Sequence, residues 1–565
     1  MAIEVLDPGH LPAGNKTRLG KRSLIDRLWR PSIVLTAFIF SIPILTIAAF
    51  LLQSSADVWQ HLLDTVLFDY LTNSALLMFG VGLGTFSIGV TCAWLTSVCQ
   101  FPGKRLFAWA LLLPLAMPAY IIAYTYTGMF DFAGPFQSLI REWTGWGYGD
   151  YYFPEIRSIG GAVAMLSFVL YPYVYLLARA AFLDQSVCVL EVSRTLGCNL
   201  WGSFYRVALP LARPAIVAGM SLALMETLAD YGTVSYFGLG VFTTGIFRTW
   251  FGLGDSAAAA KLAAILLLFV FTLVLVERAS RRQAQYHHST NRYQNLPEYR
   301  LTGIKGLIAC VACMMPLLLG FVLPAIQLGF WAVDTYADMV DESFIELTLH
   351  SISLAAVASV LAVMLALFLV YGKRLFGTKA VNASIRVVAT GYAIPGTVVA
   401  VGVIIPFAWF DNTLDAYLRE HYDFSSGLIL SGSLFAVMFA YMVRFLAVSI
   451  QSVEAGLGKI KHSMDDAARS LGYRPQQTFF KVHLPIMKGS VLTALLIVFV
   501  DVMKELPATL ILRPFNFNTL AVRAFELASD ERLADSSTAA LMIVAVGLIP
   551  VILLSKSISA SRAGS

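Results

Sequence analysis

Long apolar runs alternate with short polar segments along almost the whole chain. A helix of about 20 apolar residues spans the hydrocarbon core of a bilayer. Twelve runs fit that length, near 33–53, 72–97, 106–129, 158–183, 208–230, 258–276, 304–331, 344–371, 384–410, 427–451, 486–505 and 536–556. Two further apolar pieces, 232–252 and 507–522, are broken by Gly, Pro and Arg and predict re-entrant or interfacial segments.

Composition points the same way. The 565 residues are 58% hydrophobic and 13% charged, with a mean hydropathy of +0.72; a soluble domain carries roughly 25% charged residues. The charges are sorted by loop. The N-terminal tail is basic, 54–71 has no Lys or Arg, and Lys104 and Arg105 follow. The 277–303 connection is rich in Arg, 332–343 is purely acidic, and Lys373, Arg374 and Lys379 come next. Basic loops stay in the cytoplasm, so this alternation predicts cytoplasmic termini. Only 506–535, with three Arg and several acids, is equivocal. The net charge of +5 is thus a topology signal, and no nucleic-acid partner is expected. The first apolar run is longer than a signal-peptide core, which predicts a retained helix. Cys310 and Cys313 form C-x-x-C inside an apolar helix, where packing is the expected role.

Parts of the chain recur. "GKRLF" occurs at 103–107 and 372–376, and "MPAY" (117–120) and "IPGT" (394–397) sit at similar places in the helix that follows. Segments 191–213 and 466–488 align without gaps, with Arg194/Arg469, Leu196/Leu471, Gly197/Gly472, Phe204/Phe479, Val207/Val482, Leu209/Leu484 and Pro210/Pro485 identical. The expected fold is an all-α polytopic membrane protein of about 12 transmembrane helices in two parallel six-helix repeats. An even number of spans inserts both units the same way up, about an axis along the membrane normal. The expected layout is a tail (1–30), a first unit (31–276), a linker (277–303), a second unit (304–557) and a tail (558–565).

The repeated polar segment lies on the cytoplasmic side of that layout. In "DDAARSLGYRPQQTFFKVHLP" (465–485), Ser463 and Asp466 match a helix-start signal, and Ala467 and Ala468 favour helix. Gly472 supplies a turn or C-cap, and Pro485 suits the start of the next helix. A short helix, a Gly turn and a second short helix are expected, at 187–210 and 462–485.

This segment resembles the signature loop of bacterial ABC importer permeases: E-A-A, three residues, Gly, nine residues, an aliphatic, one residue, Leu-Pro. The first copy carries it as Glu191, Gly197, Val207, Leu209 and Pro210; the second as Asp466, Ala467, Ala468, Gly472, Val482, Leu484 and Pro485. The first has Val192 and Ser193 for the alanines, and the second has Asp for Glu. The resemblance implies the type I ABC importer permease fold. It also implies one loop docked on each of two ATPase copies, with Glu191, Arg194, Gly197, Asp466, Arg469 and Gly472 among the coupling residues. The chain has no G-x-x-x-x-G-K-[ST] phosphate loop. ATP and Mg are therefore expected on the partner subunits, with no cofactor here.

Charge inside a membrane is costly and usually functional. From Pro210, Glu226 lies about 24 Å and Asp230 about 30 Å along the helix, and Asp501 and Glu505 match them in the second unit. These carboxylates, with Tyr231 and Lys504, are candidates for a translocation pathway. Carboxylate and phenol suit a hard cation, held weakly, with no tightly bound metal. The plainer reading is that Lys504 pairs with Asp501 or Glu505 and that Asp230 caps a turn before Gly232. Segments 226–252 and 504–533 look like those of fused ferric iron permeases, which implies iron delivered by a periplasmic binding protein. Permeases for thiamine, polyamines or sulfate share the architecture, and a gradient-driven transporter would also fit twelve spans. No enzymatic constellation is present in the spans.

Overall fold

The computed structural model describes residues 24–53, 56–147, 149–184, 199–282 and 299–560. Among these the chain is helical except for loops and one two-residue parallel pairing, Cys99–Gln100 with Tyr299–Arg300, which seats the end of the linker against the first half. Eleven helices are long and apolar enough to cross a bilayer. The pair Lys104–Ala116 and Ala119–Thr144, bent by 92°, makes a twelfth span if taken as one.

The elements repeat in order and, for much of each half, in register. Glu342, Lys379, Leu434, Phe479, Leu484 and Pro507 each open an element 275 residues after Leu67, Lys104, Ile159, Phe204, Leu209 and Gly232 open theirs. The two "GKRLF" stretches do not share this register. Residues 103–107 cap and open the short helix Lys104–Ala110, whereas 372–376 end the long helix Glu342–Phe376. That identity is a coincidence of two basic turns. "MPAY" and "IPGT" are true equivalents. Met117 and Ile394 are extended (ψ 113° and 126°), as the residue before a proline is forced to be, and helices restart at Ala119 and Gly396. The run 384–410 is accordingly split: an amphipathic helix Lys379–Val388, then a span from Gly396 to Tyr422.

Proline also explains three π turns, Phe204–Ala208, Leu318–Val322 and Phe479–His483, each ending two residues before Pro210, Pro324 or Pro485. A helical proline cannot donate to the carbonyl four residues back and collides with it. Widening by one residue keeps the helix continuous. Pro485 therefore sits inside a span running Pro475–Met503, and the expected second short helix is that span's first turns.

Each half is centred on three packed helices: Leu67–Val98, Ile159–Asp184 and Leu209–Ala229 in the first, Glu342–Phe376, Leu434–Gly458 and Leu484–Met503 in the second. The halves interlock. Leu24–Phe50 crosses to pack on Gly396–Tyr422, and Ile304–Leu317 leans on Leu67–Val98. Gly402 permits the first crossing, since a Cβ would stand 2.5 Å from the Pro43 carbonyl oxygen; Gly320, just past the second helix, likewise lets Leu318–Val322 approach Ile159–Asp184, where a Cβ would stand 2.5 Å from the Phe168 carbonyl oxygen. One continuous buried cluster draws on both halves. The broken segments become short helices, Gly232–Tyr236 with Phe242–Phe247 and Pro507–Leu512 with Leu520–Ser529, largely buried among the spans.

Candidate translocation site and its polar handle

At the end of Leu209–Ala229 the chain turns at Asp230; at the end of Leu484–Met503 it turns at Lys504 and Glu505. Each carboxylate caps the short helix that follows, satisfying N–H groups that have no partner within it. Asp230 accepts from the amides of Thr233 (3.1 Å) and Val234 (3.2 Å) and from Thr233 Oγ1 (3.0 Å). Glu505 accepts from the amides of Ala508 (3.2 Å) and Thr509 (3.1 Å) and from Thr509 Oγ1 (2.8 Å).

These turns face one cavity of about 110 Å³ between the halves. Glu226, Asp230, Tyr231, Asp501, Lys504 and Glu505 all line it, joined by Arg444 and the rings of Tyr120, Tyr173 and Tyr392. Four carboxylates thus face two bases. Lys504 pairs with Asp501 at 3.0 Å. Arg444 pairs with Glu505 at 3.0 Å and reaches Glu226 at 3.9 Å. Tyr231 stacks on Phe247 with ring centroids 4.1 Å apart and meets Phe525 of the second half at 5.9 Å. Among the described residues no three His, Cys, Asp or Glu side chains gather closely enough to hold a metal ion.

Arg444 escaped the sequence reading, in which Lys504 was the one base. It lies inside the apolar run 427–451, where an ionisable residue was itself the signal. Its partners are remote in sequence. Gly396 makes room for it: a Cβ there would stand 2.7 Å from Glu505 Oε1 and 3.1 Å from Arg444 Nη1.

Glu191, Arg194 and Gly197 lie outside the described residues. Leu209 and Pro210, like Leu484 and Pro485, are half-buried and exposed in turn. In the second half the helix is His462–Ser470, opened by Lys461 with no side-chain cap, so Ser463 is not the start signal. Gly472 takes φ +79°, the left-handed turn that favours glycine, and the Tyr473 amide reaches back to the Ala468 carbonyl at 3.0 Å. Ala468 is buried, whereas Ala467 and Arg469 are exposed. Asp466, with its side chain 70% exposed, pairs with Arg469 at 3.5 Å.

The neighbouring Asp465 is the anchor. It accepts from Arg374 Nε (2.9 Å) and Nη2 (2.8 Å) and hydrogen-bonds His483 Nε2 at 2.6 Å. Arg374 also donates to the Leu457 and Ile460 carbonyls, both at 3.0 Å, and Tyr371 donates to the Pro475 carbonyl at 2.6 Å. Partial burial opposes ionisation of Asp465, but the bonds from Arg374 and His483 outweigh it and hold the carboxyl below its ordinary range. The short helix is thereby fastened to the ends of three spans.

Eleven spans, twelve with the bent pair, in two like halves around a charged cavity define a polytopic membrane permease. Residues 86–285 and 358–562 each match the family described as binding-protein-dependent transport system inner membrane component. The chain belongs to that family of ABC-type transport permeases and is a transport component, not an enzyme. It is 26% identical over 492 residues to the Fe(3+)-transport system permease protein FbpB 2 of Haemophilus influenzae, covering 86% of this chain and 90% of that one. It is 24% identical over 475 residues to the ferric transport system permease protein FbpB of Actinobacillus pleuropneumoniae, covering 78% and 64%. A shorter likeness, 28% over 179 residues, is to the molybdenum transport system permease protein ModB of Escherichia coli K12, covering 32% and 71%.

Proposed function

We propose that this chain is the membrane pathway of an ATP-driven importer whose cargo is a hard multivalent cation, ferric iron. The observation that carries the reading is the cavity between the halves, where four carboxylates face two bases. An oxyanion such as molybdate would meet net repulsion there, whereas a trivalent cation would meet hard oxygen ligands. The relatives named for ferric transport support the same choice, since they span both halves, whereas the molybdenum relative spans one.

Delivery by a periplasmic binding protein and coupling to two ATPase copies belong to the same proposal, with the handles and both termini in the cytoplasm of an inner-membrane system. ATP draws the two ATPases together; they move the handle at His462–Ser470 and its counterpart in the first half. The halves then rock about the cavity. The loaded binding protein shifts the cycle only through its preference for one state. The test is uptake in proteoliposomes holding the permease, its ATPase and an iron-loaded binding protein. Iron uptake that needs ATP is expected, with no uptake of molybdate, sulfate or thiamine presented on their own binding proteins. ATP-driven oxyanion or thiamine uptake without iron uptake would overturn the cargo; uptake without the ATPase would make the chain a gradient-driven transporter.

A further inference from the structure

We propose that Arg444 is a tethered stand-in for the cargo, a cation built into the second half that neutralises Glu226 of the first half when the pathway is closed and surrenders it when the halves part. This rests on the cation-import reading above and adds how the cargo is taken up and let go.

Three observations carry it. First, the repeat duplicates the acids and not the bases. Glu226 and Asp230 correspond to Asp501 and Glu505, whereas Val169 and Ala229, which also line the cavity, stand 275 residues before Arg444 and Lys504. Both bases therefore travel with the second half. Second, among the ion pairs around this cavity only Arg444–Glu226, at 3.9 Å, joins one half to the other; Arg444–Glu505 and Lys504–Asp501, both at 3.0 Å, lie within the second. Third, Arg444 is fixed to its own half. Its Nη1 bonds to Glu505, which is held in turn by Ala508 and Thr509. Its Nε is buried without a hydrogen-bond partner, so the guanidinium is bound mainly on one edge.

Separation of the halves follows directly. Arg444 leaves with Glu505, Lys504 stays on Asp501, and Asp230 keeps the amides of its own short helix. Glu226 alone loses its counter-charge. A carboxylate left without its counter-charge beside three other carboxylates attracts a multivalent cation. When the halves close, the guanidinium returns to the same oxygens and competes with the cargo, which promotes release. The pair thus alternates between internal and external cation, and a ligand that binds one state better shifts the cycle toward it.

The test uses the purified complex of permease and ATPase, with Tb(III) as a hard trivalent probe read by tyrosine-sensitised luminescence. Tyr120, Tyr173 and Tyr392 line the cavity and serve as donors. Wild type is expected to bind Tb(III) at least tenfold more tightly in the ATP-trapped state than without nucleotide. Glu226→Gln, half-buried and leaving Arg444–Glu505 intact, is expected to abolish that difference. Arg444→Gln is expected to bind Tb(III) tightly in both states and to lose at least tenfold in uptake while ATP turnover continues; Arg444→Lys restores part of the state dependence. Equal Tb(III) affinity in the two states of wild type, or a state dependence unchanged in Glu226→Gln, overturns the proposal. The Glu226 variant decides the matter even if Arg444→Gln fails to fold. Iron uptake by wild type reports separately on the cargo, so state-dependent Tb(III) binding without iron uptake would sink that reading and leave the role of Arg444 standing.

Discussion

Replacing Asp465 with Asn should loosen the handle at His462–Ser470, and the size of the effect follows from its contacts. The side chain is 16% exposed, against 9% for Arg374 and 2% for His483. The substitution removes the charge behind two bonds from Arg374 and one from His483 and leaves both partners without it. Hydrogen bonds to charged groups contribute about 1.5–3 kcal/mol each, and removing one member of a buried pair costs about 3–5 kcal/mol. Solvent access and the amide's remaining acceptor oxygen reduce this to about 2–3 kcal/mol. That corresponds to roughly 30- to 150-fold faster amide exchange across 462–470 if these amides exchange by local opening. Hydrogen–deuterium exchange on the intact permease–ATPase complex measures it. Asp466→Asn is the control: its exposed pair with Arg469 contributes at most about 0.5 kcal/mol, so exchange should change less than about threefold. Exchange in Asp465→Asn within threefold of wild type, or a larger effect from Asp466→Asn, would refute the assignment of the anchor.

The acidity of Asp465 gives a companion expectation. Its folded-state pKa is depressed, so its stabilisation is fully present above the unfolded value of about 3.9 and is lost as pH falls through the lower folded value. Exchange differences between wild type and Asp465→Asn should hold from neutrality to about pH 5 and shrink below about pH 4. Gly396→Ala should push Glu505 from Arg444 and cut iron uptake about tenfold, equivalent to about 1.4 kcal/mol, with normal membrane insertion; unchanged uptake would count against a close-packed pair. Gly472→Val, forced into the left-handed region, should cost about 1–2 kcal/mol, seen as weaker ATPase binding in a pull-down titration. Gly489→Ala, with nothing within 4 Å of the added methyl, should leave that titration unchanged. Lys504→Met should leave Asp501 without its counter-charge and lower the apparent melting temperature of the detergent-purified complex, whereas Lys504→Arg should largely restore it.

How far the chain could be read before it was folded differs from feature to feature. The spans were legible because a backbone in lipid must bond to itself, so each crossing needs one long apolar run. The broken pieces at 232–252 and 507–522 were legible through their Gly, Pro and Arg. The repeat was legible in the handle, where identities such as Gly197/Gly472 and Pro210/Pro485 keep one register. "GKRLF" misled because five residues of local identity do not fix register; helix ends do, and these place the copies at different turns. Asp466 was favoured over Asp465 because a motif names positions, whereas burial depends on the helix face. Adjacent helical residues point about 100° apart, and only Asp465 faces Arg374 and His483. Arg444 was visible as a letter but not as a partner, since Glu226 and Glu505 reach it from distant segments.

The sequence by itself determined the membrane class, the two like halves and the polar handle, because hydropathy, loop charge and internal identity are properties of the chain read in order. Only the tertiary structure decided which charges meet. It set Arg444 between Glu226 and Glu505 and seated Asp465 on the bundle. Ion pairing falls off over a few ångströms and depends on burial, and neither distance nor burial is written in the order of residues.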